Sequence, residues 1–140
     1  MKIFLIPIVA AIIAMAGCQS TPHSTLYQDL GELQGIENIV DDFLIGLGND
    51  PRIAHHFSDA DPERLRNKLV EQFCAESGGG CTYTGDSMKD SHAGMNITHA
   101  DFNALVEALI DAMEKHNVSV AAQNRLLQRL APMHSDIVGQ

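Results

Sequence analysis

From Ile36 onward the apolar side chains fall at Ile36, Ile39, Val40, Phe43, Leu44 and Leu47, the three-and-four spacing of one buried helix face. The stripe stops at Gly48-Asn49-Asp50-Pro51. Pro51 suits the first position of a short helical turn that reaches Phe57. Asp61-Pro62-Glu63 reads as a fresh start, with Asp61 as cap and Pro62 where its missing N–H does no harm. Behind it Leu65, Leu69, Val70 and Phe73 point inward until the Gly78-Gly79-Gly80 run. Thr98 with Asp101 three residues later resembles a capping box, opening a helix that turns Phe102, Leu105, Val106, Leu109 and Met113 inward and closes at His116-Asn117. A last helix runs from about Ser119 to Ser135 through Leu126, Leu127, Leu130 and Met133, with Pro132 kinking or shortening its end. No stretch alternates apolar and polar residues over a strand length, so the chain reads as all-α.

The first residues follow a different rule. Lys2 gives a positive start, Ile3 to Ala16 an apolar run too short to span a bilayer comfortably, and Gly17 a small residue before Cys18, as in an export leader. Met15-Ala16-Gly17-Cys18 resembles a bacterial lipoprotein box, although Met stands where Leu is usual. Residues 1–17 are therefore expected to be removed and Cys18 to carry lipid; a plain secretory leader is the alternative. Both place the protein outside the cytoplasm. Gln19 after Cys18 resembles the bacterial sorting signal for outer-membrane retention, so the expected location is the periplasmic side, lipid-anchored to the outer membrane. Residues 18–25, with Ser, Thr, Pro and His but no periodicity, read as a flexible tether. Residues 26–140 then make one domain, large enough to be stable alone.

Charge narrows the partners. Nine basic residues face eighteen acidic ones, a net charge of −9, which argues against nucleic acid and against charge-driven binding to anionic lipid. Any membrane contact is expected through acyl chains on Cys18. Cys74 and Cys81 flank a segment ending in three glycines that lets the backbone double back, and in an exported chain they are expected to be bonded. Two unrelated thiols, or a metal pair at a spacing too long for a zinc knuckle, are the competing readings.

The stretch from Tyr83 to Phe102 carries the chemistry. It holds Tyr83-Thr84-Gly85, Met88 four residues before His92, Gly94 two after it, then Ile97-Thr98 and Phe102. A neutral imidazole binds haem iron through one ring nitrogen while flanking apolar side chains exclude water. This ordered set resembles the proximal haem-ligand segment of group I truncated haemoglobins, and matching residues extend from Leu26-Tyr27 through Gly35 and Phe57 to Ala131-Pro132. The resemblance implies a two-over-two helical sandwich holding haem b, with His92 as the iron ligand.

Carried over position by position, the resemblance implies that Phe57 packs on the haem face and that Phe43 and Phe73 line the distal side. Met88, Ile97, Phe102 and Leu105 would meet the ring from the proximal side and the edges. Lys68, Tyr83 and Lys89 are the propionate candidates, whereas Arg64 and Arg66 read as solvated helix residues. The departure is distal. Group I members commonly carry a Tyr and a Gln that hydrogen-bond the ligand, and this chain has Leu44 and Leu69 there, with Leu65 one turn earlier. Gln72 and His56 are the remaining polar candidates nearby, with solvent-facing roles as their alternatives.

The implied function is reversible binding of oxygen, nitric oxide or carbon monoxide opposite His92. Transport, nitric oxide removal, sensing and peroxidase-like chemistry all start from such a site, some with an electron-transfer partner, and distal polarity decides among them. An apolar distal side is expected to favour carbon monoxide or nitric oxide over oxygen. The alternative from another class is a haem-free structural or interaction lipoprotein that keeps the globin fold; a zinc site from His55, His56 and His99 lacks ligand spacing.

Overall fold

The computed structural model describes residues 24–140. The expected leader at 1–17, the expected lipid position Cys18 and the expected tether as far as residue 23 lie outside the described residues. Seven helices follow in order: α1 (Leu26–Asp29), α2 (Glu32–Asn49), α3 (Pro62–Ser77), α4 (Met88–His92), α5 (His99–Lys115), α6 (Val120–Leu130) and α7 (His134–Ile137). Short 3-10 turns at Ala54–Phe57 and Ala131–Met133 precede α3 and α7. There is no strand among the described residues, and α2, α3, α5 and α6 form the two-over-two sandwich.

Local chemistry sets most boundaries. Thr25, read as the end of the tether, belongs to the fold: it accepts from the Gln28 N–H, and the Gln28 side chain returns to the Thr25 N–H. Asp61 Oδ1 accepts from the N–H groups of Glu63 and Arg64 at 3.0 Å each, and Thr98 with Asp101 closes a full capping box. Helix α2 starts at Glu32, ahead of the apolar stripe, where Gly31 takes the left-handed conformation at the cap (φ +83°). The turn expected from Pro51 narrows to Ala54–Phe57, since Ile53 and Ala54 first bond back to the Asp50 carbonyl. The last helix is divided. It ends at Leu130, and around Pro132, which cannot continue the α pattern, the chain tightens before α7.

Helix α2 packs on both α3 and α5, α3 packs on α6, and α4 lies against α7. Where they meet, Ile36, Ile39, Val40, Phe43, Leu47, Phe73, Cys74, Leu109, Met113 and Leu126 are each at most 3 % exposed. Burying each large aliphatic or aromatic side chain there is worth roughly 1.5–3 kcal/mol. Surface ion pairs bracket the same contacts: Arg66 with Asp41 between α3 and α2, Lys115 and His116 with Asp42 across α5 and α2. Exposed pairs of this kind add about 0–1 kcal/mol each. Cys74 and Cys81 form a disulfide with Cα atoms 5.6 Å apart, tying the buried face of α3 to the segment that leads to α4.

Candidate functional site

A cavity of about 700 Å³ opens between α3, α4, α5 and the chain beyond α6, within the usual range for small-molecule and cofactor sites. Helix α3 faces it with Leu65, Lys68, Leu69, Gln72 and Phe73. Helix α5 supplies Phe102, Leu105, Val106 and Leu109. Phe43 and Leu47 close it from α2, Phe57 from the turn before α3, and Met88, His92 and Met95 from α4 and the bend after it.

His92 is half-buried, and its Nδ1 lies 2.7 Å from the Met88 carbonyl. A carbonyl only accepts, so Nδ1 carries the proton and Nε2 keeps its lone pair in the neutral ring. The four-residue spacing between Met88 and His92 is what brings these groups together, one helical turn apart. Ser87 starts that turn by accepting from the Asp90 N–H. Gly94 then takes φ +78°, a left-handed conformation that lets the chain leave α4 sharply.

The mouth is polar. The Tyr83 hydroxyl donates to the Asp86 carbonyl at 2.9 Å, curling the ring over Gly85, where any Cβ would collide with it. Burial and the nearby Asp86 carboxylate raise the Tyr83 pKa, so the hydroxyl stays a donor at neutral pH. Thr84 gives its N–H and hydroxyl to Glu71 at 2.9 and 2.8 Å, and Lys68 Nζ reaches both Glu71 oxygens at 2.9 Å. The Lys68 ammonium, followed by the two Thr84 donors, holds Glu71 at a pKa of about 2. Arg64, read from the sequence as solvated, lines the rim and pairs with Asp86 at 3.1 Å.

The cavity gathers Phe43, Phe57, Leu65, Lys68, Leu69, Phe73, Tyr83, Met88, His92, Phe102 and Leu105. Three expected residues stay off its wall. Leu44 packs half-buried against the core, because Phe43 beside it on α2 takes the cavity-facing position. Ile97 is buried beneath the bend after α4, where its carbonyl accepts from the Gly139 N–H. Lys89 points to solvent from α4. Sequence reasoning did not assign Met95, Ala131 or Ile137 to the site; Ile137 lies beyond the tightened turn at Ala131–Met133.

Two polar side chains on the wall have limited company. His56 Nε2 is buried and 3.3 Å from Asp101 Oδ2 without making a proper hydrogen bond; Asp101 is already held, its pKa lowered, by the Thr98 N–H and hydroxyl. Gln72 is 9 % exposed, with Nε2 at 3.5 and 3.4 Å from the sulfurs of Met88 and Met133. His99 and His134 hydrogen-bond at 3.1 Å behind Phe102. No three His, Cys, Asp or Glu side chains among the described residues converge as a metal cluster.

These features fit haem in this chain: apolar walls of the right volume, an imidazole whose free nitrogen is set by its own backbone, and cations at the rim. The bacterial-like globin family matches residues 25–138. The chain is 30% identical over 123 residues to the group 1 truncated hemoglobin GlbN of Mycolicibacterium paratuberculosis, covering 88% of this chain and 90% of that protein. It is 31% identical over 117 residues to GlbN of a Nostoc species, covering 84% and 99%. Among solved structures, truncated hemoglobin from Tetrahymena pyriformis in the Fe(III) form superposes with a TM-score of 0.80 at 25% identity, over 84% of this chain and all of that one.

Proposed function

Because the chain belongs to the bacterial-like globin family, we propose that its cavity would hold haem b through His92 and that the protein binds a diatomic gas there. The observation that carries this is the His92 Nδ1 to Met88 carbonyl bond on the wall of an apolar cavity. When bound, haem would supply an iron able to take up oxygen, nitric oxide or carbon monoxide reversibly. The chain's own residues do the rest. Met88 keeps the His92 ring in the tautomer and orientation a metal needs. Phe43, Phe57, Phe73, Phe102 and Leu105 exclude water, and Lys68, Tyr83 and Arg64 are the rim groups suited to propionates. A haem-free interaction role would leave this cavity and the His92 geometry without an occupant.

Purified protein titrated with haem is expected to develop a Soret band, and His92→Ala to lose most of the affinity and change the coordination signature. An unchanged spectrum and affinity in that variant would remove His92 from the role. We further propose, from the leader pattern alone, that Cys18 is lipidated and that the domain sits on the periplasmic side of the outer membrane. Cys18→Ser should release the protein from membranes; continued membrane fractionation would count against the anchor.

A further inference from the structure

The C-terminal wall of the cavity is held differently from the rest. Met133 and Ile137 line it from the 3-10 turn Ala131–Met133 and from α7, yet no residue of either element is buried. Few hydrogen bonds tie this segment to the body. The Gly139 N–H donates to the Ile97 carbonyl and the Asn96 N–H to the main-chain oxygen of Gln140, both at 3.0 Å and both from exposed residues. Gln72 Nε2 meets the Met133 sulfur at 3.4 Å, and a thioether is a weak acceptor. The remaining hydrogen-bonded tie among the described residues joins His99 Nδ1 to His134 Nε2 at 3.1 Å. His134 also stands edge-on, at 4.7 Å, to Phe102 on the cavity wall. Scarce buried contacts and exposed hydrogen bonds mark a segment that opens locally before the rest unfolds.

We propose that residues 131–140 form a strap that opens to admit haem, and that the His99–His134 hydrogen bond is its acid-sensitive latch; the haem part rests on the reading above. Between two imidazoles one ring donates and the other must keep a lone pair. One added proton leaves the bond intact, because a cationic N–H still faces a neutral nitrogen. A second proton removes the acceptor and sets two positive charges 3.1 Å apart. Imidazole is the side chain whose charge changes between about pH 5 and about 8, so the latch holds at neutral pH and fails toward the acid end of that range. The other titratable groups on the elements packed here are engaged elsewhere or exposed. Asp101 on α5 is held by Thr98 and neighbours His56, which lies against His55. His92 on α4 bonds the Met88 carbonyl, and Lys89, Asp90 and Asp136 are exposed. Because α7 lies against α4, opening the strap uncovers the cavity on the His92 side.

The first measurement uses haem-free protein and follows main-chain amide exchange at Asn96, Gly139 and the core residue Val40 from about pH 7.5 to about 5, each rate corrected for the intrinsic effect of pH. In wild type, protection at Asn96 and Gly139 should fall at least about tenfold, the repulsion of two unit charges at this spacing even in water, while Val40 stays protected. His134→Gln keeps a hydrogen-bonding partner for His99 but takes up no proton, so its strap protection should hold. His99→Gln, at the exposed partner, should match it. The second measurement is transfer of haem to an excess of a haem-free scavenger globin. Acidification should speed it more in wild type than in either variant; His92 is common to all three, so the difference isolates the latch. Equal pH dependence of Asn96 and Gly139 protection in wild type and both variants overturns the latch. Protection as high as that of Val40 at every pH overturns the strap. Strap opening that leaves haem transfer unchanged overturns the role in admitting haem. A wild type with no Soret band overturns the haem reading and that role with it, while amide exchange still decides the latch.

Discussion

The α2 face and the α3–α5 face are built from the same kinds of residue at the same helical spacing, yet they end in different states. Ile36, Ile39 and Val40 are 1 % exposed or less, whereas Leu65, Leu69, Phe102, Leu105 and Val106 are only half-buried around the cavity. Protein interiors are close-packed and leave few voids larger than a water molecule. Apolar side chains held apart by about 700 Å³ therefore form the walls of a binding site and not part of the packed core. The lesson is that hydrophobic patterning identifies what is withheld from water without saying whether protein or ligand withholds it.

Truncations should separate the two faces most strongly. Leu126→Ala, in the fully buried core, is expected to cost about 2–5 kcal/mol with or without haem, because the site cannot collapse fully. Leu69→Ala should cost the haem-free protein under about 1.5 kcal/mol, since it enlarges a space already present. Its main effect should be weaker haem retention. Denaturant titrations of both variants, with and without haem, check this. Equal losses in the haem-free state would dissolve the distinction between core and wall.

Filling the cavity should be the next largest effect. Haem at about a hundredfold above its dissociation constant should stabilise the fold by about 2.7 kcal/mol, and His92→Ala should abolish most of that gain. A gain that survives in His92→Ala would mean that the walls alone, not the ligated iron, carry the binding.

The disulfide joins the two regions: Cys74 sits in the core, and Cys81 lies two residues before Tyr83 at the cavity mouth. Closing so short a loop is worth about 2–3 kcal/mol by restricting the unfolded chain. Replacing both cysteines by Ala should lower stability by that amount and loosen haem retention further. If stability falls and haem retention does not, the bond serves the core alone.

Much of this was legible beforehand because local rules and tertiary packing agree. Asp61-Pro62 and Thr98 with Asp101 cap helices as their types demand, and the Met88 to His92 spacing is one turn long for a chemical reason. Periodicity could not choose between Phe43 and Leu44, which occupy adjacent positions of one broad apolar stripe; only packing puts Phe43 on the wall. Nor could it foresee that Gln72 meets sulfurs 16 and 61 residues away. The resemblance implies that Ile97 meets the haem, whereas the bend after α4 turns it into the protein, off the cavity wall.

The smallest effect concerns the rim, where Glu71 fastens the Thr84 segment to α3 next to Lys68 and Tyr83. Its carboxyl is held at about 2, against 4.5 for an ordinary glutamate, first by Lys68 and then by Thr84. A carboxyl depressed in the folded state contributes stability that is fully present above the unfolded value and disappears as pH falls through the folded one. The difference in melting temperature between wild type and Glu71→Gln should therefore be constant from neutral pH down to about 5 and shrink between about 4.5 and about 2. The pair is solvent-facing, so the difference should be modest and reduced by salt. Haem retention should follow the same window, because the Glu71 tie sets the distance between the α3 wall and the Tyr83 side of the mouth. A melting difference that persists unchanged to the acid end would show that Glu71 acts through its shape and not its charge, and that the rim contributes nothing electrostatic to the contrast between filled core and open wall.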